Sequence, residues 1–552
     1  MKSHRRSLLK GAAASGGAVV AGLAGLPRAG QAAQPGGPTA GSARAFADPV
    51  QRAAAGRALR IEAAARDYPH RFPAHPDNGD EQAHPYLATY TKGLPHNELG
   101  EVQHQAHDAL LHALATGEPA QFAAVPAGAA NARKQLGPQG AFSFELMGAD
   151  THGLVVPPAP GVAGAETAAE LAELYWLALL RDLPFTEYEG SSLAAEAAGD
   201  LSRYAGFRGP RSGGRVTPGT LFRSGLPGAE AGPFISQFLL KPVQFGISRI
   251  PQLHDTVAPG VDYLGSFAEW LAVQNGANVA TVRDFAHQRY VFNGRDMAHY
   301  THFDVLYQAY LFAALILLGS TDYPASLQDA GNPYFRSANQ MGFNSFGTPH
   351  LTSLLADVAI RAIKHTEFQQ FKVHRRIRPE ELCGRVDVHL RQGRYPGLVH
   401  DDLLTSPVLQ RSRAKYGSYL LTQSFPEGSP MSPAYQSGHS TVAGACVTVL
   451  KAWFNESYVL SDPVVPGPDG TSLVPYEGAD RDRLTVGGEL NKLAGNIGAG
   501  RSSAGVHYRS DNAAAFTFGE QIAIDLMREQ RALYLEKSAI TVTRFDGTTV
   551  TI

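Results

Sequence analysis

Cysteine is nearly absent: Cys383 and Cys446 are the two in 552 residues. That excludes a disulfide-dense scaffold and any thiolate cluster for zinc or an iron–sulfur centre. Spacing leaves open whether the two pair. Net charge is also nearly absent, with 48 Lys and Arg against 50 Asp and Glu, a formal −2. Bulk charge therefore gives no reason to expect nucleic acid or an anionic membrane as partner. Long apolar runs are missing too. The longest, "VLYQAYLFAALILLG" from Val305 to Gly319, falls short of the ~20 residues of a membrane span and reads as a buried core helix. Strand-like alternation is scarce apart from the final "AITVTRFDGTTVTI", which predicts a small hairpin around Asp546-Gly547.

What is present is helical periodicity. Apolar residues recur at three- and four-residue intervals over 100–117, 165–183, 296–319, 349–371, 437–454 and 512–537. Gly- and Pro-rich connections such as 206–233 and 320–348 separate them. With 44% apolar residues a substantial core is available. The pattern predicts an all-α protein with elaborate loops and minor hairpins, one domain from 49 to 552. Ahead of it, "HRRSLLKGAAASGGAVVAGLAGLPRAGQAAQ" carries Arg5-Arg6, a weakly apolar stretch and small residues near Ala32-Ala33. It reads as a twin-arginine export signal over residues 1–33, with a flexible leader over 34–48. The expected location is periplasmic or secreted.

Three segments share one chemical demand. In "QQFKVHRRIRPEE" (369–381), Lys372, Arg375 and Arg376 fall at helical spacings, and Pro379 puts Arg378 at a helix end. Alone, such a basic terminus is ordinarily a solvated face. In "GSPMSPAYQSGHSTVAG" (428–444), an apolar helix starts at about Ser437. Its unpaired amides favour an anion. Ser437 adds a hydroxyl, Gly438 allows close approach and His439 titrates, although Ser437 could simply cap the helix. In "GRSSAGVHYRSD" (500–511), Arg501 and His507 share a Gly/Ser-rich segment, and Asp511 follows His507 by four. A carboxylate behind an imidazole fixes its tautomer; an exposed polar loop is the other reading. The set contains no acidic cluster for a hard cation. Guanidiniums, a helix start, a hydroxyl and two histidines converge on a tetrahedral oxyanion.

At this point the sequence resembles the vanadium-dependent haloperoxidases, in particular the algal and bacterial bromo/iodoperoxidase branch, whose site is similar to that of the type 2 phosphatidic acid phosphatases. "VHRRIRPE", "YQSGHS" and "GRSSAGVHYRSD" carry the resemblance, and "HPDNGDE", "KGLPHNELGEV", "SQFLLKPVQFG" and "RDMAHYTHFDVLYQAY" extend it from about residue 50 onward. It implies two four-helix bundles and a vanadate cofactor. His507 would be the axial ligand. Arg378, Arg501, Ser437 and the Gly438 amide would hold the vanadate oxygens, and His439 would be the acid/base. Vanadate would act as a Lewis acid on hydrogen peroxide, and halide oxidation would yield hypohalous acid that halogenates small organic acceptors. Relatives often form dimers or larger shells, so a homo-oligomer is implied. Some carry structural calcium, which no segment here places.

Two departures stand out. The family's lysine, eight residues before Arg378, is Gln370, which can donate a hydrogen bond but brings no charge. Lys372 lies two residues on, toward a different side of a regular helix. Five residues before Ser437, where algal bromoperoxidases carry histidine, stands Ser432, at a position that bears on halide access. Gln436 also replaces the family's usual proline. Two further readings stay open. One is an acid phosphatase on the same architecture, with a phosphohistidine at His507 and His439 protonating the leaving group. The other is a binding protein with a degenerate site.

Overall fold

The computed structural model describes residues 48–67, 72–280, 287–319 and 327–552. The expected export signal and nearly all of the leader lie outside these residues. The chain divides into two compact units, residues 1–70 and 71–552. In the first unit, helix α1 (Pro49–Asp67) starts behind Asp48, whose carboxylate accepts the Val50 amide at 2.8 Å.

The described part of the second unit holds twelve α-helices of eight residues or more. They are α2 (His104–Thr116), α3 (Ala165–Leu179), α4 (Ser192–Arg203), α5 (Phe267–Gln274), α6 (Gly294–Phe303) and α7 (Gln308–Gly319). There follow α8 (Thr348–Glu367), α9 (Pro379–Gln392), α10 (Pro407–Tyr416), α11 (Gly438–Trp453), α12 (Val486–Ser503) and α13 (Arg509–Arg531). Helix α11 is apolar on nearly every side, and all its residues from Ser440 to Trp453 are buried. It packs against α8, α12 and α13 to form a four-helix bundle, with α6 against α12. Val442, Val447, Val449 and Leu450 are fully buried there, each stabilising by roughly 1.5–3 kcal/mol. Helices α3, α4 and α10, with the short helix Asp401–Leu404, form a second group.

Helices α11 and α13 touch backbone to backbone. A Cβ at Gly519 would overlap the Thr441 carbonyl oxygen, and one at Gly444 the Phe516 carbonyl oxygen. Among the described residues, four two-stranded antiparallel sheets decorate the helices. The last pairs Thr541–Thr543 with Thr549–Thr551 and turns through Gly547 at φ 84°, as its sequence predicts. Among the described residues no single helix is long and apolar enough to cross a membrane. Cys383 and Cys446 are unpaired and buried.

Two helical patterns are broken where the sequence shows continuity. The expected 296–319 helix is α6 and α7, bent by 100°. Asp304 is extended (φ −61°, ψ 145°), and the Gln308 side chain accepts the Val305 amide at 3.2 Å, which restarts the helix. Helix α8 runs on into a π-helical turn, Phe368–His374, closed by the Arg375 amide on the Gln370 carbonyl at 3.0 Å. Arg375 then enters the left-handed region (φ 35°, ψ 36°) and ends it.

Candidate active site

The unwinding after α8 sends the arginines of "HRRIR" three ways. Arg375 pairs with Glu81 at 2.6 Å. Arg376, buried, binds Asp511 at 2.6 Å and Glu170 at 3.0 Å and lies 3.9 Å over the Tyr508 ring. Arg378 is 1% exposed and extended ahead of Pro379, as expected for a residue held out of helix by a following proline. The basic cluster is therefore no solvated face.

Arg378 is held on several sides. Its Nε donates to the Ser432 carbonyl at 2.7 Å, Nη2 to Ser432 Oγ at 3.0 Å, and Nη1 to the Val506 carbonyl at 2.9 Å. Nη1 also donates to His507 Nε2 at 2.9 Å. The other ring nitrogen, Nδ1, donates to Asp511 Oδ2 at 3.2 Å. An acceptor on one nitrogen and a donor on the other fix the neutral Nδ1–H tautomer and leave a lone pair on Nε2. Burial, then Arg378, Arg501 and His439, hold His507 well below its usual range, so it stays uncharged. Asp511 also accepts the Tyr508 amide at 2.9 Å. Burial raises its carboxyl above the usual range, against the pull of Arg376.

Ser437 caps α11, its Oγ accepting the Ser440 amide at 3.4 Å, and its own amide donates to the Asp511 carbonyl at 3.1 Å. The starts of α11 and α13 are thus sewn together. Gly438 faces α8, where a Cβ would come within 3.2 Å of the Ile363 side chain. His439 is the most exposed of these groups, its side chain 25% accessible, and its Nε2 bonds Asp304 at 3.1 Å. Burial would raise the Asp304 carboxyl, but His439 and Arg501 hold it below its usual value. Arg501 donates to the Thr301 carbonyl at 2.8 Å, while its buried Nε has no partner. Burial, with Arg378 nearby, lowers its guanidinium to about 10.

Gln370 Nε2 donates to the Gln436 carbonyl at 2.6 Å, one residue ahead of Ser437. Lys372 is not brought to the group. The π turn sends it to the Leu114 carbonyl and over the Phe142 ring at 4.5 Å. Arg378, Ser432, Ser437, Gly438, His439, Arg501, His507 and Asp511 thus gather around the starts of α9, α11 and α13 and the end of α12. Asp304 and Arg376 belong with them; the sequence reading names Arg376 only as one cation of the basic cluster and does not single out Asp304. Asp304 sits inside an apparent helix, and Arg376 is one of several arginines with nothing in the sequence to single it out.

A family model described as the VCPO second helical-bundle domain matches residues 408–534, which span α10 to α13. The chain is 32% identical to the vanadium-dependent bromoperoxidase of Corallina officinalis over 86% of its own length and 92% of the relative's. It is 33% identical to that of Ascophyllum nodosum over 83% and 85%. This chain belongs to the vanadium-dependent haloperoxidases. The homohexameric second vanadate-dependent bromoperoxidase of Ascophyllum nodosum shares its fold, with a TM-score of 0.87 and 27% identity over 97% and 95% of the two chains.

The residues fit the oxyanion this haloperoxidase family uses. Two buried guanidiniums, each lowered by burial, lie in one another's field. One keeps an orphaned buried N–H. A tetrahedral anion between them would relieve both the repulsion and the unmet donor. Among the described residues no group of three or more His, Cys, Asp or Glu side chains gathers to hold a metal cation.

Proposed function

We propose that this haloperoxidase oxidises bromide, iodide or both with hydrogen peroxide in a vanadate-dependent reaction, giving hypohalous acid that halogenates small organic acceptors. The observation that carries the reading is the uncharged Nε2 of His507, backed by Asp511 and facing Arg378. His507 would hold vanadate through that nitrogen, and Arg378, Arg501, the Ser437 hydroxyl and the Gly438 amide would hold its oxygens. When bound, vanadate supplies Lewis-acid activation of peroxide without a change of oxidation state.

The chain's own residues supply the rest. Asp304, kept ionised, orients His439 through Nε2 and leaves Nδ1 to take the proton that peroxide gives up. The net reaction, hydrogen peroxide plus halide plus one proton giving hypohalous acid and water, returns that proton and consumes one more. Ser432 fixes Arg378 from two atoms, and its small side chain leaves room for halide. Gln370 steadies the Gln436 carbonyl without adding charge, so this site carries one cation fewer than a lysine there would give.

Relatives at 32–33% identity are bromoperoxidases, which disfavours the phosphohistidine alternative. A homohexameric relative supports self-assembly, and the twin-arginine pattern supports export to the periplasm or medium. Halide oxidation by the purified protein, with and without orthovanadate, tests the reading. Activity should require vanadate and be blocked by phosphate. His507→Ala should lose vanadate binding, whereas His439→Ala should bind vanadate and lose turnover by about 100-fold or more. Full activity in His507→Ala would sink the assignment, and phosphate release from a chromogenic ester would favour the alternative.

A further inference from the structure

The end of α6 and the residue after it touch the site twice. The Thr301 carbonyl accepts Arg501 at 2.8 Å, and Asp304 accepts His439 at 3.1 Å. Between them, His302 Nε2 bonds Glu427 Oε1 at 2.7 Å. His302 stacks on Phe425 at 3.7 Å, and Phe425 packs with Ala298, Ala504 and Val506. Val506 precedes His507 and gives its carbonyl to Arg378. The His302–Glu427 pair therefore lies one layer of side chains from the oxyanion site.

Its exposure and wiring distinguish it from an ordinary surface ion pair. The His302 side chain is 17% accessible and that of Glu427 9%, so the pair runs from solvent inward. Glu427 Oε2 is buried and has no partner, as is Arg501 Nε. The groups that face Glu427 are His302 from α6, Arg133 and Tyr263 from loops, and Arg501 from α12. Lys92, paired with Glu380, donates to its main-chain oxygen at 2.9 Å, as does Arg133 at 3.1 Å. The backbone of Glu427 is thus pinned by two cations.

Resting on the haloperoxidase reading, we infer that His302 and Glu427 are positioning residues for proton supply: a second histidine–carboxylate pair that passes protons between solvent and the oxyanion site. Each turnover consumes one proton. The carboxylate accepts it from His302 on Oε1 and gives one up from Oε2, the oxygen with no protein partner, to the peroxide oxygen that leaves as water, and His302 is reprotonated from solvent. A histidine is suited to this because its ring can accept a proton on one nitrogen and release one from the other.

The test is the pH profile of vanadate-loaded halide oxidation in His302→Phe, His302→Gln and Glu427→Gln. His302→Phe keeps the stack on Phe425, and His302→Gln keeps a donor to Glu427 but cannot shuttle a proton. All three should lose about tenfold in turnover near pH 8, where protons are scarce, and stay within about twofold near pH 5.5. In the vanadate-free protein, Glu427→Gln should also tighten orthovanadate binding by about threefold at low salt, because it removes an anion that faces Arg501. Equal loss at every pH, a wild-type profile in His302→Gln, or unchanged vanadate affinity in Glu427→Gln would overturn the inference. A wild-type protein that binds vanadate and oxidises no halide would overturn the functional reading instead.

Discussion

Arg376 touches none of the groups that would hold the oxyanion, yet its loss should be felt there through Asp511. It neutralises two buried carboxylates, Asp511 at 2.6 Å and Glu170 at 3.0 Å, while covering the Tyr508 ring. In Arg376→Met the stem volume is kept and both acids lose their cation. Breaking a buried pair from one side costs about 3–5 kcal/mol, which urea unfolding of the vanadate-free protein would read as a shifted midpoint. Affinity should fall for a separate reason. Burial already raises the Asp511 carboxyl, and Arg376 is the largest opposing influence. Without it the Asp511 carboxyl shifts further upward, toward the protonated form that no longer serves as an anionic acceptor for His507 Nδ1. Loss of such support typically weakens a metal site about 10–100-fold, equivalent to about 1.4–2.7 kcal/mol. Because Arg376 acts on His507 through Asp511, calorimetric vanadate titrations should be non-additive: Asp511→Asn alone gives most of the loss, and the double variant falls less than about threefold further. Wild-type vanadate affinity in Arg376→Met, or full additivity, would refute this chain of dependence.

Three further outcomes follow from the same structure. His96, His254 and His374 are held at about 3, 4 and 3 by burial, aided by Arg385, His299 and Arg376 respectively. Below their ordinary 6.5 the unfolded chain binds these protons and the folded one does not. Stability should therefore fall on acidification by about 1.4 kcal/mol per pH unit per histidine, and His374→Gln should flatten the measured slope by that amount. Gln370→Lys should keep a donor for the Gln436 carbonyl, add a cation, and tighten vanadate binding by about tenfold in titration. Gly519→Ala should destabilise by about 3 kcal/mol or more in urea unfolding, since its methyl would meet main chain that has no rotamer to change.

The anion-site residues were legible because each comes from a short segment whose residue types state their chemistry: a Ser-Gly-His at a helix start, a guanidinium before proline, an imidazole four residues ahead of an aspartate. What connects them was not. Asp304 was hidden because residues 296–319 keep an apolar period across a 100° bend. The break comes from an extended Asp304 and a Gln308 side chain that accepts a backbone amide, neither of which disturbs periodicity. Lys372 and Gln370 illustrate the converse. The irregular backbone that could have turned Lys372 inward exists as the π turn, but it carries the lysine to Leu114 and Phe142. The helical character follows from apolar spacing, whereas the two bundles came with the family resemblance, because spacing along each helix does not say which helices pack together.

The glycine crossing of α11 and α13 makes the oxyanion cavity a rigid gauge. Ser437 opens one helix and Asp511 lies in the first turn of the other, and their main chains are joined at 3.1 Å. Farther along, Gly444 and Gly519 leave no side chain between the two rods. The spacing between the starts of the two helices is therefore set by two peptide backbones in contact. Selection among tetrahedral anions is then set partly at a crossing where no ion is ever touched, and a single methyl there would act as a shim on the whole site.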